Sequence, residues 1–315
     1  MSPATASGEG RAFPPRLWRQ SLQLFKAGIS SSLAATNLIV IFTGMIPVAL
    51  LKLTLPFTGV RTFADRILNA MVEGWIAVNG WWIALAQRIR WDVRGVEGLQ
   101  RKGWYLVGSN HQSWVDIFVL QKVFNRRVPF LKFFIKRELI YLPVLGWAWW
   151  AMDFPFVRRR GGSSRQADLR TARKACDRFQ LVPTSVISFF EGTRFSQRKH
   201  RAQASPYRHL LKPKAGGLAA TLAAMGDRFH ALLDVTIVYP DGAPSFWDLL
   251  CGKVREVVVR VRSLEIPGHL LEGDYEGDPE FRARVQAWVR ELWEAKDKTI
   301  EEIRLQLDQR GRATA

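Results

Sequence analysis

Cysteine and histidine are the scarcest reactive side chains in this chain of 315 residues. Its two cysteines, Cys176 and Cys251, cannot supply a disulfide framework, so the composition favours a reducing compartment. Its five histidines include no pair with H-x-x-x-H spacing. The sequence therefore predicts neither a structural nor a catalytic metal site, because zinc sites are built from paired ligands of these types.

Acidic residues are also few, at 28 Asp and Glu against 46 Lys and Arg, which gives a net charge of +18. Such a charge attracts nucleic acids and anionic membrane surfaces alike. The basic residues are spread along the chain, and it has no zinc-finger spacing, RNP-like run or basic-leucine heptad. It does have 13 tryptophans, a residue type enriched at membrane interfaces. We therefore expect anionic membrane lipids as partners and no nucleic acid.

The N-terminal part of the chain contains long uncharged segments. Between Lys26 and Lys52, 25 consecutive residues carry no charge, and roughly 20 apolar residues suffice to cross a bilayer core. A second segment, Ile67–Gln87, carries one acid, Glu73, and three tryptophans. Residues 1–15 are rich in Ser, Gly, Ala and Pro, and we expect them to be disordered.

We expect residues 16–90 to form a hydrophobic, membrane-anchoring helical hairpin. Basic residues flank both segments, and the positive-inside bias favours a hairpin with both ends on the cytoplasmic side. Such a hairpin could cross the bilayer or enter one leaflet, and the sequence leaves both open. The alternative is a buried helix pair of a soluble protein.

From residue 91 to residue 315, apolar runs alternate with helical stretches, which predicts an α/β fold. We expect a mixed, mostly parallel sheet with covering helices. The predicted strands are Gly103–Gly108, Thr184–Phe190, Leu232–Tyr239 and Val254–Val261. The predicted helices cover residues 163–180, residues 216–230 and a last helix that begins at Asp278-Pro279, a good N-cap followed by proline.

The first candidate site follows the strand that ends at Gly108. There His111 precedes Asp116 by five residues, and residues five apart in a helix do not share a face. The two can meet only if the histidine lies in a loop and the aspartate in the first helical turn. A histidine with a nearby carboxylate can remove a proton from a hydroxyl. Alternatively, Ser113 and Asp116 form only a helix-capping box.

The second candidate site follows the strand that ends at Phe190. It reads Glu191-Gly192-Thr193-Arg194, and an arginine at a strand end can hold a phosphate. Sites in α/β sheets form outside the carboxyl ends of strands, so the two candidate sites can converge. Together they suggest acyl transfer onto an alcohol that bears a phosphate.

Four sequence blocks resemble the lysophosphatidic acid acyltransferase (PlsC-type) family of membrane glycerolipid acyltransferases. They occur in the family's order. The blocks are His111 to Asp116; Lys136-Arg137-Glu138-Leu139 through Pro143 and Gly146 to Phe156-Val157-Arg158; Phe189 to Arg194; and Asp234 to Pro240. The resemblance implies a membrane-bound acyltransferase that transfers a fatty acyl group from acyl-CoA or acyl-carrier protein, without a cofactor. The acceptor would be the sn-2 hydroxyl of 1-acyl-glycerol-3-phosphate.

The resemblance also implies residue roles. His111 would be the general base and Asp116 would orient its imidazole, without a covalent acyl-enzyme; in keeping with this, the chain has no G-x-S-x-G nucleophile turn. The acceptor phosphate would be held by Arg194 and Arg158, with Lys136 as a third cation. The pocket would be shaped by Glu191, Gly192 and Thr193. Alternatively, Arg158 and Lys136 belong to basic surface runs, and Glu191 forms a salt bridge with Arg194.

Two departures bear on the acceptor. Phe190 replaces the usual proline of the third block, and Asp234-Val235-Thr236 replaces the usual Val-Pro-Val of the fourth. The second variant resembles the branch of lysocardiolipin acyltransferases and bacterial YihG-like proteins, which implies the cytoplasmic face of a bacterial inner membrane. The alternatives are an acyltransferase for a larger lysophospholipid, and a basic membrane- or RNA-binding protein with a degenerate site.

Overall fold

The computed structural model describes residues 15–55, 57–133, 135–154, 156–157 and 183–313. The predicted disordered segment 1–15, apart from Pro15, and the predicted helix 163–180 lie outside these ranges, as do Arg158 and Cys176. The described strands are β1 Arg90–Arg94, β2 Tyr105–Ser109, β3 Leu131–Phe133, β4 Ile135–Lys136, β5 Phe156–Val157, β6 Ser185–Phe189, β7 Ala231–Val238 and β8 Glu256–Leu264. The described α-helices are α1 Pro15–Thr54, α2 Thr58–Ala86, α3 Val115–Phe124, α4 Leu145–Ala151, α5 Gln197–Ala202, α6 Ala215–Met225, α7 Phe246–Leu250 and α8 Pro279–Ala313.

Six strands form one sheet in the order β1-β8-β7-β2-β6-β3, and all neighbours are parallel except β7 and β8. The predicted mixed, mostly parallel α/β sheet is therefore confirmed. β2 and β7 are buried along their whole length, because helices cover both faces of the central strands. The short strands β4 and β5 form a separate parallel pair.

Helices cover the sheet on two sides. On one side, α3 packs with residues of α2 and α7 against the inward side chains of β7 and β8. On the other side, α6 and the C-terminal helix α8 pack against the opposite face, with Trp293 of α8 fully buried. As the sequence predicts, α8 begins at Asp278-Pro279, and the Asp278 carboxylate accepts the N–H groups of Glu280 and Phe281.

The two N-terminal helices form a hairpin, as expected, and α1 lies along the α/β domain. Near its start, Ala27 is buried in the same cluster as α3 and α7. Near its end, the Lys52 ammonium lies 2.7 Å from the Asp65 carboxylate and donates to the Ala151 carbonyl of α4 at 2.9 Å. Between these points, the Asn37 amide donates to Asn79 of α2. The helix therefore contacts the domain at two points about 38 Å apart and contacts α2 between them.

One helical segment in the described part of the chain, Ser21–Thr54, is long and apolar enough to cross a membrane. This statement rests on length and composition alone, and the buried core helices of soluble proteins satisfy the same criteria. Its outward face carries exposed apolar side chains such as Ile39 and Leu50. The second predicted segment forms α2, which does not meet the criteria.

Candidate active site

Three neighbouring parallel strands end at one edge of the sheet. In register, Ser109 at the end of β2 faces Phe189 at the end of β6, and faces Val235 of β7 on its other side. The segments that follow β2, β6 and β7 therefore meet in space. They contribute His111, Glu191 and Tyr239, which come from widely separated parts of the sequence.

His111 and Asp116 are placed as their spacing requires. His111 lies in the loop after β2, and Asp116 is the second residue of α3. The His111 Nδ1 atom lies 2.8 Å from Asp116 Oδ2; Asp116 is fully buried, whereas 15% of the His111 side chain is exposed. With the Nδ1 proton directed to the carboxylate, Nε2 is left as the basic nitrogen. The imidazole stacks on Phe189, with ring centroids 4.0 Å apart.

Asp116 also has the capping role that the alternative interpretation assigns to it. Its Oδ2 accepts the N–H groups of Gln112 at 2.6 Å and of Ser113 at 2.8 Å. The other half of the capping box is not formed, because Ser113 Oγ accepts the N–H of Val115 instead of that of Asp116. The Asp116 carboxylate thus caps the start of the helix and also contacts the imidazole of His111. The interpretation of Asp116 as a helix cap and its interpretation as the partner of His111 are therefore compatible.

Two groups of hydrogen bonds at this edge of the sheet were not predicted from the sequence. The Tyr239 hydroxyl donates to Asp116 Oδ1 at 2.7 Å, and Tyr239 is buried. Burial, followed by the nearby Asp116, raises the pKa of Tyr239 well above its ordinary value. In addition, the Asn110 amide donates to the Ile237 carbonyl and accepts the Ile237 N–H, each at 2.9 Å. The Asn110 side chain therefore continues the pairing between β2 and β7 beyond the end of β2.

Glu191 is a buried support of the His111 loop, and the interpretation that it pairs with Arg194 is wrong. Its Oε1 accepts the His111 N–H at 3.0 Å, and its Oε2 accepts the Leu211 N–H at 3.3 Å. Burial raises the pKa of Glu191 to about 7, and the two N–H groups oppose that rise. The Phe195 N–H donates to the His111 carbonyl at 2.7 Å. The loop after β6 therefore holds the backbone of His111 on both sides.

The C-terminal helix reinforces this support. The indole N–H of Trp293 donates to the Leu211 carbonyl at 3.0 Å, while the Leu211 N–H donates to Glu191. A continuous series of hydrogen bonds thus connects α8 to the His111 loop through Leu211 and Glu191. Nothing in the sequence pattern of α8, which is typical of packing, indicates this connection.

Gly192 and Thr193 form the turn that leads to Arg194. Gly192 has φ +65°, a left-handed conformation that favours glycine, and its N–H donates to the Phe189 carbonyl at 2.8 Å. The Lys199 ammonium donates to Thr193 Oγ1 at 2.7 Å and to the Arg194 carbonyl at 2.9 Å. The exposed Arg194 guanidinium lies 5.1 Å from the ring centroid of Trp114, which directly precedes α3.

Lys136 lies apart from this arrangement. It is exposed on β4, and its ammonium lies 3.6 Å from the Glu138 carboxylate. In register it faces Val157, whose successor Arg158 is outside the described residues. The structure therefore brings together His111, Asp116, Glu191 and the turn to Arg194, but describes no contact between Lys136 and that group. Within the described ranges, no three or more His, Cys, Asp or Glu side chains are placed to hold a metal ion.

Both departures from the family pattern lie in the protein interior. Phe190 packs against Trp293, with ring centroids 5.4 Å apart. Gly108 leaves room for it, since a Cβ there would lie 2.7 Å from the Phe190 ring. Asp234 is buried and forms ion pairs with Arg262 and with Lys296 of α8, the latter at 2.6 Å. Asp234 therefore stabilises the packing of α8, and it does not contact His111.

Sequence comparison with known proteins finds similarity to acyltransferases. Residues 90–240 match the family model described as Acyltransferase, and this range contains all four sequence blocks. The mouse 1-acyl-sn-glycerol-3-phosphate acyltransferase delta is 25% identical over 256 residues, which are 77% of this chain and 64% of that protein. The Arabidopsis thaliana 1-acyl-sn-glycerol-3-phosphate acyltransferase 3 is 26% identical over 70% of this chain and 59% of its own. Residues 90–240 are therefore similar to the acyltransferase family, and the curated relatives that match the chain are 1-acyl-sn-glycerol-3-phosphate acyltransferases.

A solved acyltransferase structure extends the agreement to the fold. The crystal structure of the 1-acyl-sn-glycerophosphate acyltransferase PlsC from Thermotoga maritima superposes with a TM-score of 0.53 at 18% sequence identity. The superposition covers 91% of this chain and 97% of that chain, so it includes the N-terminal helices as well as the sheet. The chain spans a little under two thirds of the length of the curated relatives named above.

Proposed function

We propose that this protein transfers a fatty acyl group to the sn-2 hydroxyl of 1-acyl-glycerol-3-phosphate, with acyl-CoA or acyl-carrier protein as donor. The observation that carries the proposal is the 2.8 Å pair of His111 and Asp116 at the carboxyl edge of the sheet, with an exposed arginine over Trp114 at the start of the helix that carries Asp116. The names of the relatives point to the same acceptor.

The proposed mechanism uses His111 as general base. Its Nε2 accepts the proton of the acceptor hydroxyl while the oxygen attacks the thioester carbonyl carbon. Asp116 stabilises the imidazolium that forms, as the aspartate of a Ser-His-Asp triad does. The tetrahedral intermediate then collapses, its carbon–sulfur bond breaks, and the thiolate leaves as a thiol with the proton from His111. The products are the ester and the free thiol, and no acyl-enzyme forms.

Among the predicted cations that the structure describes, Arg194 is better placed than Lys136 to hold the acceptor phosphate. It is exposed and lies over Trp114, at the start of the helix that carries Asp116. A guanidinium presents a planar fork that matches phosphate oxygens, and it keeps its charge at all relevant pH values. The positive end of the α3 dipole adds to the attraction for an anion at this place.

The test of the proposed reaction is an assay of membranes that contain the protein. Labelled acyl-CoA and acyl-carrier protein are supplied separately, each with 1-acyl-glycerol-3-phosphate or a larger lysophospholipid such as monolysocardiolipin. Product from 1-acyl-glycerol-3-phosphate supports the proposal. Product only from a larger acceptor favours phospholipid remodelling, and no product from any acceptor favours a basic binding protein with a degenerate site.

Arg194→Lys should raise the KM for the lysophospholipid acceptor about tenfold and leave the KM for the acyl donor unchanged. Lysine keeps the charge but loses the planar fork. Steady-state kinetics with each substrate varied in turn measure the effect, and Arg255→Lys, an exposed arginine paired with Asp241, is the control. A donor-only defect would reverse the assignment and place the thioester carrier, not the phosphate, at Arg194.

We further propose that the protein attaches to one leaflet of a membrane, with the cytoplasmic face of a bacterial inner membrane as the predicted location. α1 contacts the α/β domain near both of its ends, at Ala27 and at Lys52. A helix held along the domain in this way cannot also span a bilayer with the domain outside it. Its exposed apolar face instead suits an orientation parallel to the membrane surface, and the net positive charge favours anionic lipids.

Replacing Ile39 and Leu50 together with glutamate should move most of the protein from the membrane to the soluble fraction. Both side chains are more than half exposed on α1, so the substitutions add charge to the anchoring face without opening the core. Leu305→Glu is the matched control, because Leu305 of α8 is 52% exposed and Leu50 is 53% exposed. If the double variant still resists carbonate extraction as the control does, α1 is not the anchor.

A further inference from the structure

Tyr239 lies in the fourth sequence block, Asp234 to Pro240, to which no role in the reaction has been assigned. It directly follows β7, is 2% exposed, and its ring belongs to the apolar cluster beneath α3. Its hydroxyl donates to Asp116 Oδ1 at 2.7 Å. A buried tyrosine needs a hydrogen-bond partner, and this one has the carboxylate that contacts His111.

The four donors around Asp116 divide unequally between its two oxygens. Oδ2 lies within hydrogen-bond distance of His111 Nδ1 and of the N–H groups of Gln112 and Ser113. On Oδ1, the Tyr239 hydroxyl is the donor that the structure shows. The terminal torsion of an aspartate is broad and roughly two-fold, and rotation about Cβ–Cγ moves both oxygens together. The Tyr239 bond to Oδ1 therefore restrains the same rotation as the three bonds to Oδ2, from the opposite side of the carboxylate.

The tyrosine suits this role chemically. Because burial and the neighbouring carboxylate raise its pKa well above the ordinary value, the phenol stays protonated and remains a donor. Its hydroxyl is held by β7, while His111 follows β2 and Asp116 lies on α3. The bond therefore ties the Asp116 carboxylate to the end of β7 in the sheet, in addition to the loop after β2.

We propose that Tyr239 is a positioning residue for acyl transfer: its hydroxyl restrains rotation of the Asp116 carboxylate so that Oδ2 stays directed at His111 Nδ1. The expected effect on the rate of acyl transfer rests on the proposed function, whereas the orientation of the Asp116 carboxylate by Tyr239 does not. Tyr239 would act on the reaction through Asp116 and not on the substrate itself.

Tyr239→Phe tests the proposal, because it removes the hydroxyl and keeps the ring. The loss of a hydrogen bond to a charged group should lower kcat about 10- to 100-fold and leave the KM of both substrates within about twofold. Tyr105→Phe is the matched control. Tyr105 is 5% exposed in the same cluster, and its hydroxyl accepts the Gln100 N–H at 2.9 Å, away from the site. Equal kcat values for the two variants, or a raised KM with unchanged kcat, would overturn the proposal.

A second measurement needs no turnover. The protein has only five histidines, so the imidazole signals of protein labelled with ¹⁵N-histidine can be assigned with His111→Ala. The Nδ1–H signal of His111 should be protected and shifted downfield in the wild type and in Tyr105→Phe, and weakened by exchange in Tyr239→Phe. An unchanged signal in Tyr239→Phe overturns the inference. An inactive wild type with the expected signals would instead refute the proposed function and leave the geometric role of Tyr239 supported.

Discussion

Replacing His111 with alanine should lower the rate of acyl transfer by about 10²–10⁴-fold while the protein remains folded. The loss follows from the proposed mechanism, because His111 is the base that it uses. The fold should persist, since the bonds at His111 that hold the loop are made by its backbone N–H and carbonyl. Turnover with saturating donor and acceptor measures the effect, and the unfolding midpoint checks the fold.

A matched histidine provides the control for this result. His230 lies at the opposite edge of the sheet, where its Nδ1 accepts the Trp104 N–H at 3.1 Å. His230→Ala should retain nearly full turnover. Asp116→Asn should resemble His111→Ala, because one amide oxygen cannot replace two carboxylate oxygens that face four donors. Wild-type turnover in His111→Ala would exclude the general-base mechanism.

Asp234→Asn should reduce the free energy of unfolding by about 3–5 kcal/mol, the usual cost of breaking a buried ion pair on one side. Asp234 is 1% exposed and Lys296 is fully buried, so the lysine would be left without its counter-charge. Burial already lowers the pKa of Lys296, and Asp234 opposes that shift. Urea unfolding followed by tryptophan fluorescence measures the change.

Two further variants separate the charge effect from a simple packing defect. The double variant Asp234→Val with Lys296→Met should recover most of the lost stability, because replacing both partners of a buried pair by apolar residues is often neutral. Asp241→Asn, which removes one partner of the exposed pair with Arg255, should leave the unfolding midpoint nearly unchanged. A double variant no more stable than Asp234→Asn would show that the ion pair is not the cause.

The parts of the fold that could be predicted from the sequence are those with an apolar pattern. β2, β6, β7 and β8 are continuous apolar runs, because they are largely buried, and their boundaries were predicted to within a few residues. Four of the described strands were missed for physical reasons. β1, with the sequence RWDVR, is a charged edge strand, and β3, β4 and β5 have only two or three residues each.

The candidate site was predictable only where its members are close in sequence. The spacing of His111 and Asp116 defines a loop and a first helical turn, so their contact could be anticipated. Glu191 was placed in the correct turn, but its buried partners, the N–H groups of His111 and Leu211, depend on how three strands align. The hydroxyl of Tyr239 reaches Asp116 across 123 positions of sequence, and no local pattern encodes such a contact.

The hydrogen bonds from Trp293 through Leu211 to Glu191 have a consequence for the order of synthesis. During translation the N-terminal part of a chain leaves the ribosome first, so among the described helices the apolar α1 emerges first and α8 last. All four sequence blocks have been translated before Trp293 exists. When α1 has already been translated, the support of His111 through Leu211 and Glu191 is still unfinished. That support is complete only after α8 has been translated and has packed against the sheet.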